Sequence, residues 1–254
     1  EIPRNYVESC NKLLNKIDAD IVGGVIETIS PRYVGKAIAI AQSSLFGVGG
    51  VKFRNCNNNK PTYVDTLAFG AHKRELFSDI GGYDEEMICN QDDEFNHRAT
   101  KAGKKIWLDP SIKTKYYSRI SISQLFKQYF NYGFYKVRGF QKRKEVFAIR
   151  HLIPATFILG LLVTIILGFS YNQFWLKYSV IGIYLIANIA SSILVSPKLL
   201  LVPFIFISFC TLHLGYGLGF LWGLLRFSAK WGDNELKDAH FNREKFIANS
   251  TVIK

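Results

Sequence analysis

The sequence predicts an α/β domain followed by an all-α transmembrane region, and three observations carry that prediction. Over about the first 120 residues, β-branched runs alternate with segments of helical period, the pattern of strands laid against helices. Three apolar runs follow, 152–176, 178–197 and 199–225, each long enough for a bilayer crossing of ~20 residues at ~1.5 Å rise. From Leu152 to Leu225 the only formal charges are Lys177 and Lys198, and buried helices of soluble proteins seldom stay so free of charge.

Taken in order, Pro3 suits the first turn of a helix over about 3–17, with Tyr6, Val7, Cys10, Leu13, Leu14 and Ile17 at three- and four-residue spacing. ADIVGGVIET reads as a buried strand interrupted by Gly23 and Gly24. A helix near 32–45 leads to the turn GVGG at 47–50 and the polar loop 54–61. YVDTLAFGA, 63–71, reads as a strand and HKRELFSDIGG as a short helix closed by glycine. DEFNHRATKAG is a helix ending at Gly103, and KKIWLDP a strand ended by Asp109 and Pro110.

The segment 121–146 has Ser121 or Ser123 as its N-cap and mixes aromatic with basic side chains. That mixture predicts an interfacial helix, rings at headgroup depth and cations outward; a core helix is the alternative. Residues 151–226 form three spans, with a broken fourth element as the alternative because Gly215, Gly217, Gly219 and Gly223 crowd the last run. His213 and Tyr216 are lone polar groups there, expected to make helix contacts. The tail 227–254 is polar, and with Arg226 it holds six Lys/Arg against four acids. The positive-inside rule favours a cytoplasmic tail, whereas three spans would put it opposite the first domain.

The net charge is +12. Seven Lys/Arg fall between Lys127 and Arg150 against one acid, Glu145, so the excess abuts the first span and reads as a collar for anionic lipid. No nucleic-acid motif accompanies it, which argues against nucleic acid as a partner. Cys10, Cys56, Cys89 and Cys210 lack CxxC spacing, so neither a zinc site nor a disulfide framework is expected. The chain opens at Glu1 without a signal-peptide pattern and reads as the remainder of a longer protein.

The densest chemical signal is EEMICNQDDEFNHR, 85–98. Asp92 and Asp93 stand before a helix, where capping alone favours carboxylates. The GGYDEE turn ahead of them and the strand IWLDP behind would instead hold a carboxylate at the rim of a sheet. A metal-dependent hydrolase built on Asp92, Asp93 and His97 is a further reading, resting on spacing alone.

VDTLAFGAHKRELFSDIGGYDEE, then NQDDEFNHRATKAGKKIWLDPSI, then SQLFKQYFNYGFYKVR, together resemble the second half of family-2 glycosyltransferases with a GT-A fold. The likeness is closest to the membrane-anchored succinoglycan-type group that builds bacterial exopolysaccharides, and it covers roughly residues 20–150. It implies that residues 1–120 are the acceptor-side part of a GT-A domain with a Rossmann-like sheet. In the family an acidic pair stands three residues before a leucine-like position and six before an arginine. Phe95 and Arg98 take those positions, which places Asp92 on the catalytic base; Gln91 replaces the usual glutamate and keeps Asp93 as the alternative. Gly49, Gly50 and the run from Asp65 to His72 match positions lining the acceptor groove. Gln128 matches the glutamine of a QxxRW element whose arginine is lost at Asn131, with Lys136 and Arg138 as substitutes for binding diphosphate.

The family's DxD motif, which holds a divalent cation (Mg or Mn) and the nucleotide, is expected upstream of Glu1, so the chain alone is expected to be inactive. Asp18-Ala19-Asp20 has the letters but joins a helix to a strand. The resemblance implies an inverting transferase in the cell membrane, multi-pass with its catalytic domain cytoplasmic. Its partners would be a nucleotide-sugar donor, a lipid-linked or polysaccharide acceptor, and membrane lipids. The missing donor half and Asn131 favour the alternative of a non-catalytic scaffold; the intact acidic motif favours an enzyme.

Overall fold

The computed structural model describes residues 1–55, 60–145, 148–171 and 175–231. Its first part is a four-stranded mixed sheet with strands β1 (Ile21–Ile29), β2 (Thr62–Tyr63), β3 (Ala71–His72) and β4 (Ile106–Tyr117) in the order β2-β4-β1-β3. β1 and β4 are parallel, and the two short strands pair antiparallel on opposite edges. Helices α1 (Tyr6–Lys16), α2 (Tyr33–Ser43), α3 (Leu45–Val48), α4 (Arg74–Ile80) and α5 (Gln91–Lys101) surround it. Ile21, Val25 and Ile26 of β1 pack with Leu76, Phe95, Ala99, Ile106 and Leu108 as one core, and burying such side chains is worth roughly 1.5–3 kcal/mol each. The α/β domain and the helical membrane region are both present.

Two strand readings need correction. The run 63–71 is not one strand: β2 bonds to β4 and β3 to β1, so the chain crosses between sheet edges. Phe69 adopts φ 58°, and a Cβ at Gly70 would stand 2.8 Å from Ile21 Cγ2. That turn and close approach outweigh the β-branched composition. Pro110 does not end β4, because the register jumps from Gly23↔Leu108 to Val25↔Lys113 and the extra residues bulge out. Asp109 Oδ1 accepts the Ser111 N–H at 2.9 Å inside the bulge. A Cβ on Gly24 would lie 1.8 Å from the Ile112 carbonyl oxygen, so glycine is required there.

α6 (Ile122–Arg143) begins at Ser121, whose hydroxyl accepts the Gln124 N–H at 3.3 Å. α7 (Ile153–Tyr171), α8 (Trp175–Val195) and α9 (Val202–Arg226) follow. Among the described residues three helices are long and apolar enough to cross a membrane: Ile153–Tyr171, Tyr178–Val195 and Leu199–Arg226. α9 is unbroken, which corrects the alternative of a fourth element. Its glycines are contact points: a Cβ on Gly219 would lie 2.0 Å from Phe130 O of α6, and one on Gly217 2.5 Å from Pro154 O of α7. Without a hydrophobic drive between helices in lipid, such close backbone packing is what holds spans together. His213 bonds the Phe46 carbonyl at 2.9 Å and the Tyr184 hydroxyl at 3.0 Å, the helix contact expected of it. Most of the expected tail, 232–254, lies outside the described residues.

α2 joins the two regions, because Ala37, Ile38 and Ala41 share a core with Leu125 and Tyr129 of α6 and with Ile205, Phe209 and Leu212 of α9. α6 is therefore a helix packed on α2 and α9 through Leu125 and Tyr129.

Candidate active site

Residues 81–90 carry the acidic motif from α4 to α5. Arg98 pins its start, donating to the Gly82 carbonyl at 2.6 Å and to the Ile80 carbonyl, while its Nε donates to Glu94 Oε1 at 2.7 Å. Asn90 adopts φ 66° and donates to the Tyr132 carbonyl of α6 at 3.1 Å, which sets the start of α5 against that helix.

The basic residues of α6 face this acidic segment. Lys142 donates to both Asp84 oxygens at 2.8 and 2.7 Å and lies 2.6 Å from Glu86. Arg138 donates to Glu86 at 3.1 and 3.3 Å, and Arg143 to the fully buried Glu94 at 2.5 Å. Lys136 pairs with Asp93. Burial alone would raise the Glu86 pKa, but Lys142 and Arg138 outweigh it and bring it to about 2. The lipid collar is thereby corrected: Lys136, Arg138 and Lys142 are buried in ion pairs, Arg150 pairs with Asp65 at 2.8 Å, and Lys127 and Lys144 remain exposed. Opposite charges across two packed elements gain more by pairing than by waiting for headgroups.

Because Lys142 and Asp84 are both buried, removing one partner strands the other charge. Lys142→Met should lower stability by about 3–5 kcal/mol, read as a fall in the unfolding midpoint in detergent. An unchanged midpoint would show that the pair carries no such weight.

Beside the motif lies a cleft of about 470 Å³ lined by Leu67, Phe69, Gly70, His72, Tyr83, Gln91, Asp92 and Asn96. The buried Asn96 amide donates to the Leu67 carbonyl at 2.8 Å and to Thr66 Oγ1 at 3.1 Å, fixing one wall. The rings of His72 and Tyr83 pack on Phe95 with centroids 5.1 and 4.8 Å away, giving an aromatic wall. Burial lowers the His72 pKa to about 4, so its ring is neutral at pH 7.

Asp92 and Asp93 have different surroundings. Solvent reaches Asp92 through the cleft, so what raises its pKa is crowding by protein neighbours, then the charge of Asp93, with water still at hand. The Asp92 Oδ1 also accepts the Asp93 N–H at 2.9 Å. Asp93 lies outside the cleft lining. Burial works against its charge, but Lys136 dominates and holds it far below the ordinary carboxylate range. His151, from the 3-10 turn Ile149–His151, stands 3.9 Å away; burial and Lys136 lower its pKa to about 3.

Of the residues singled out from sequence, the cleft gathers Asp92 and, from the run Asp65 to His72, Leu67, Phe69, Gly70 and His72. Gly49 and Gly50 take φ 69° and 72°; a Cβ on Gly49 would lie 3.1 Å from Arg150 Cβ and one on Gly50 2.8 Å from Leu45 Cδ1, and Asp65 pairs with that arginine. Gln128 donates to the Tyr116 and Tyr132 hydroxyls at 3.0 and 2.8 Å. Lys136 and Arg138, which the resemblance assigns to diphosphate, hold the carboxylates of Asp93 and Glu86. His97 meets Glu145 at 3.0 Å, away from a shared site with Asp92. Asp18 and Asp20 bond the side chain and backbone N–H of Lys105, so this DAD braces the starts of the central strands β1 and β4. Cys10, Cys89 and Cys210 are free thiols, and Cys56 lies outside the described residues. Sequence reasoning passed over Tyr83, Asn96 and His151. The place of Tyr83 inside GGYDEE could have marked it; nothing in the sequence marked His151.

No family model matches the chain. It is 32% identical over 152 residues to the succinoglycan biosynthesis protein ExoA of Rhizobium meliloti (strain 1021), covering 60% of this chain and 46% of that protein. It is 28% identical over 203 residues, 80% of this chain and 60% of the relative, to a transferase of Methanococcus voltae. That protein is named dolichyl N-acetyl-alpha-D-glucosaminyl phosphate 3-beta-D-2,3-diacetamido-2,3-dideoxy-beta-D-glucuronosyltransferase. The chain thus spans about half the length of the curated relatives it matches. One relative is by name a succinoglycan biosynthesis protein and the other a glycosyltransferase, and the resemblance to membrane-anchored family-2 glycosyltransferases of exopolysaccharide synthesis is borne out.

Proposed function

We propose that the full-length protein is an inverting glycosyltransferase that moves a sugar from a nucleotide donor to a lipid-linked or polysaccharide acceptor at the cytoplasmic face of the membrane. The observation that carries this reading is the division of labour between adjacent carboxylates: Asp92 opens onto the cleft while Asp93 is taken by Lys136. Asp92 accepts the proton of the acceptor hydroxyl as its oxygen bonds to the anomeric carbon and the bond to the diphosphate breaks. One displacement inverts that carbon; a second carboxylate nucleophile would be needed to retain it. The names of the relatives support the sugar-transfer class.

His72, Tyr83 and Phe69 supply rings to the cleft, and Asp92, Gln91 and Asn96 its polar groups, a lining suited to a sugar with one apolar face. The spans packed onto α6 favour an acceptor that stays in the bilayer, as an isoprenoid-linked glycan does. A divalent cation would have to be held elsewhere: among the described residues no group of three His, Cys, Asp or Glu could hold one, and Asp18 and Asp20 are engaged with Lys105.

Membranes containing the full-length protein, given a panel of radiolabelled nucleotide sugars, should move label from one donor into the lipid or polymer fraction. Binding of a donor without transfer to any fraction would favour a scaffold instead.

A further inference from the structure

We infer that Lys136, on the membrane-packed helix α6, is a positioning residue: by binding Asp93 it leaves Asp92 as the carboxylate of the pair that is open to the cleft and free to take a proton. The inference rests on the proposed role of Asp92 and adds a residue to it.

Asp92 and Asp93 are consecutive in the first turn of α5, where successive side chains point ~100° apart. One direction meets the cleft and the other meets α6. Lys136 is 4% exposed and Asp93 17%, so water screens their contact weakly. The groups facing Asp93 are Lys136 from α6, His151 from the turn before α7, Tyr216 from α9, Thr66 from the β2–β3 crossing, and Asp92 itself. Those facing Asp92 are Asp93, Lys136, Tyr83, Cys89 and Tyr132, with His72 on the cleft. His151 is neutral at pH 7, since burial and Lys136 both oppose its charge. Arg150 acts on His151 and Tyr216 but is paired with Asp65, and Lys136 is the cation in contact with the Asp93 carboxylate.

The physical need follows from like charge. Two carboxylates in one crowded site share a proton, because both cannot ionise without a counter-charge. A shared proton would block the acceptor's proton from reaching Asp92. With Lys136 on Asp93, the charge of that carboxylate is met from α6, and Asp92 keeps a raised affinity for the proton it is to receive. The contact also ties that state to the seating of α6 on α9.

The test is an infrared titration of the purified full-length protein, following the protonated-carboxyl band that is lost in Asp92→Asn. In Lys136→Met the band should persist to a pH about 1–3 higher, whereas Lys136→Arg, which keeps the cation, should titrate close to wild type. A Lys136→Met protein that titrates like wild type overturns the inference; a residue that only holds the fold would change stability without moving the titration. Should Lys136→Met fail to fold, Asp93→Asn decides: the band should move to lower pH, because Asp92 loses a like charge and gains Lys136, and an unmoved band overturns the inference. The transfer rate of each variant against pH should follow, its acid limb displaced in the same sense. Full transfer by Asp92→Asn would instead sink the catalytic reading, and it leaves the titration result standing.

Discussion

Asp92→Asn in the full-length protein should reduce sugar transfer by about 10²–10⁴-fold, the contribution typical of a positioned general base. Asparagine keeps the size of the side chain and the acceptor oxygen that receives the Asp93 N–H, so the start of α5 should stay in place. It cannot take a proton at any working pH. Because that proton moves only as the new bond forms, the loss should appear in kcat while donor affinity changes little. Initial rates at saturating donor, beside equilibrium binding of the same donor, separate the two. Near-normal turnover would move the base elsewhere, and weakened donor binding with unchanged kcat would make Asp92 a binding group.

Gly133→Leu should separate α6 from α9 and destabilise the protein by about 3 kcal/mol or more, since overpacking at backbone contacts cannot be relieved by side-chain rotation. A Cβ at Gly133 would stand 2.1 Å from the Tyr216 carbonyl oxygen and 2.8 Å from the Phe220 nitrogen, both backbone atoms. Parting the helices would disturb the cluster of Val137, Phe140, Ala155 and Phe220 and shift the cations of α6 away from Asp84, Glu86, Asp93 and Glu94. Gly160 and Gly182 provide the control, because a Cβ on either meets nothing within 4 Å. Gly160→Leu should therefore unfold in detergent near the wild-type midpoint, whereas Gly133→Leu should unfold well below it and lose transfer. Equal midpoints for the two would remove the close-packing argument.

The two classes of prediction mirror what could be read from the linear chain. Charge-free runs of bilayer length are local facts, and α7, α8 and α9 appear where hydropathy put them. α1, α2, α4 and α5 follow from apolar period and glycine placement, and β1 from its β-branched run. The acidic motif stood out because six acids within eleven residues, Asp84, Glu85, Glu86, Asp92, Asp93 and Glu94, are conspicuous in a basic chain. Local signals misled where a distant partner decided. The run 63–71 looked like a strand, but its ends bond to different neighbours. Pro110 looked like a stop, but β1 tolerates a bulge opposite Gly24.

By itself the sequence determined the two-part architecture, the spans and the carboxylate pair, since hydropathy, period and residue chemistry are properties of neighbours along the chain. Only the tertiary structure decided which carboxylate meets the cleft, and that the α6 cations bind acids rather than lipid. Both depend on partners dozens of residues away, such as Lys136 to Asp93 and Lys142 to Asp84, and a Coulomb interaction follows distance in space, which the order of residues leaves open.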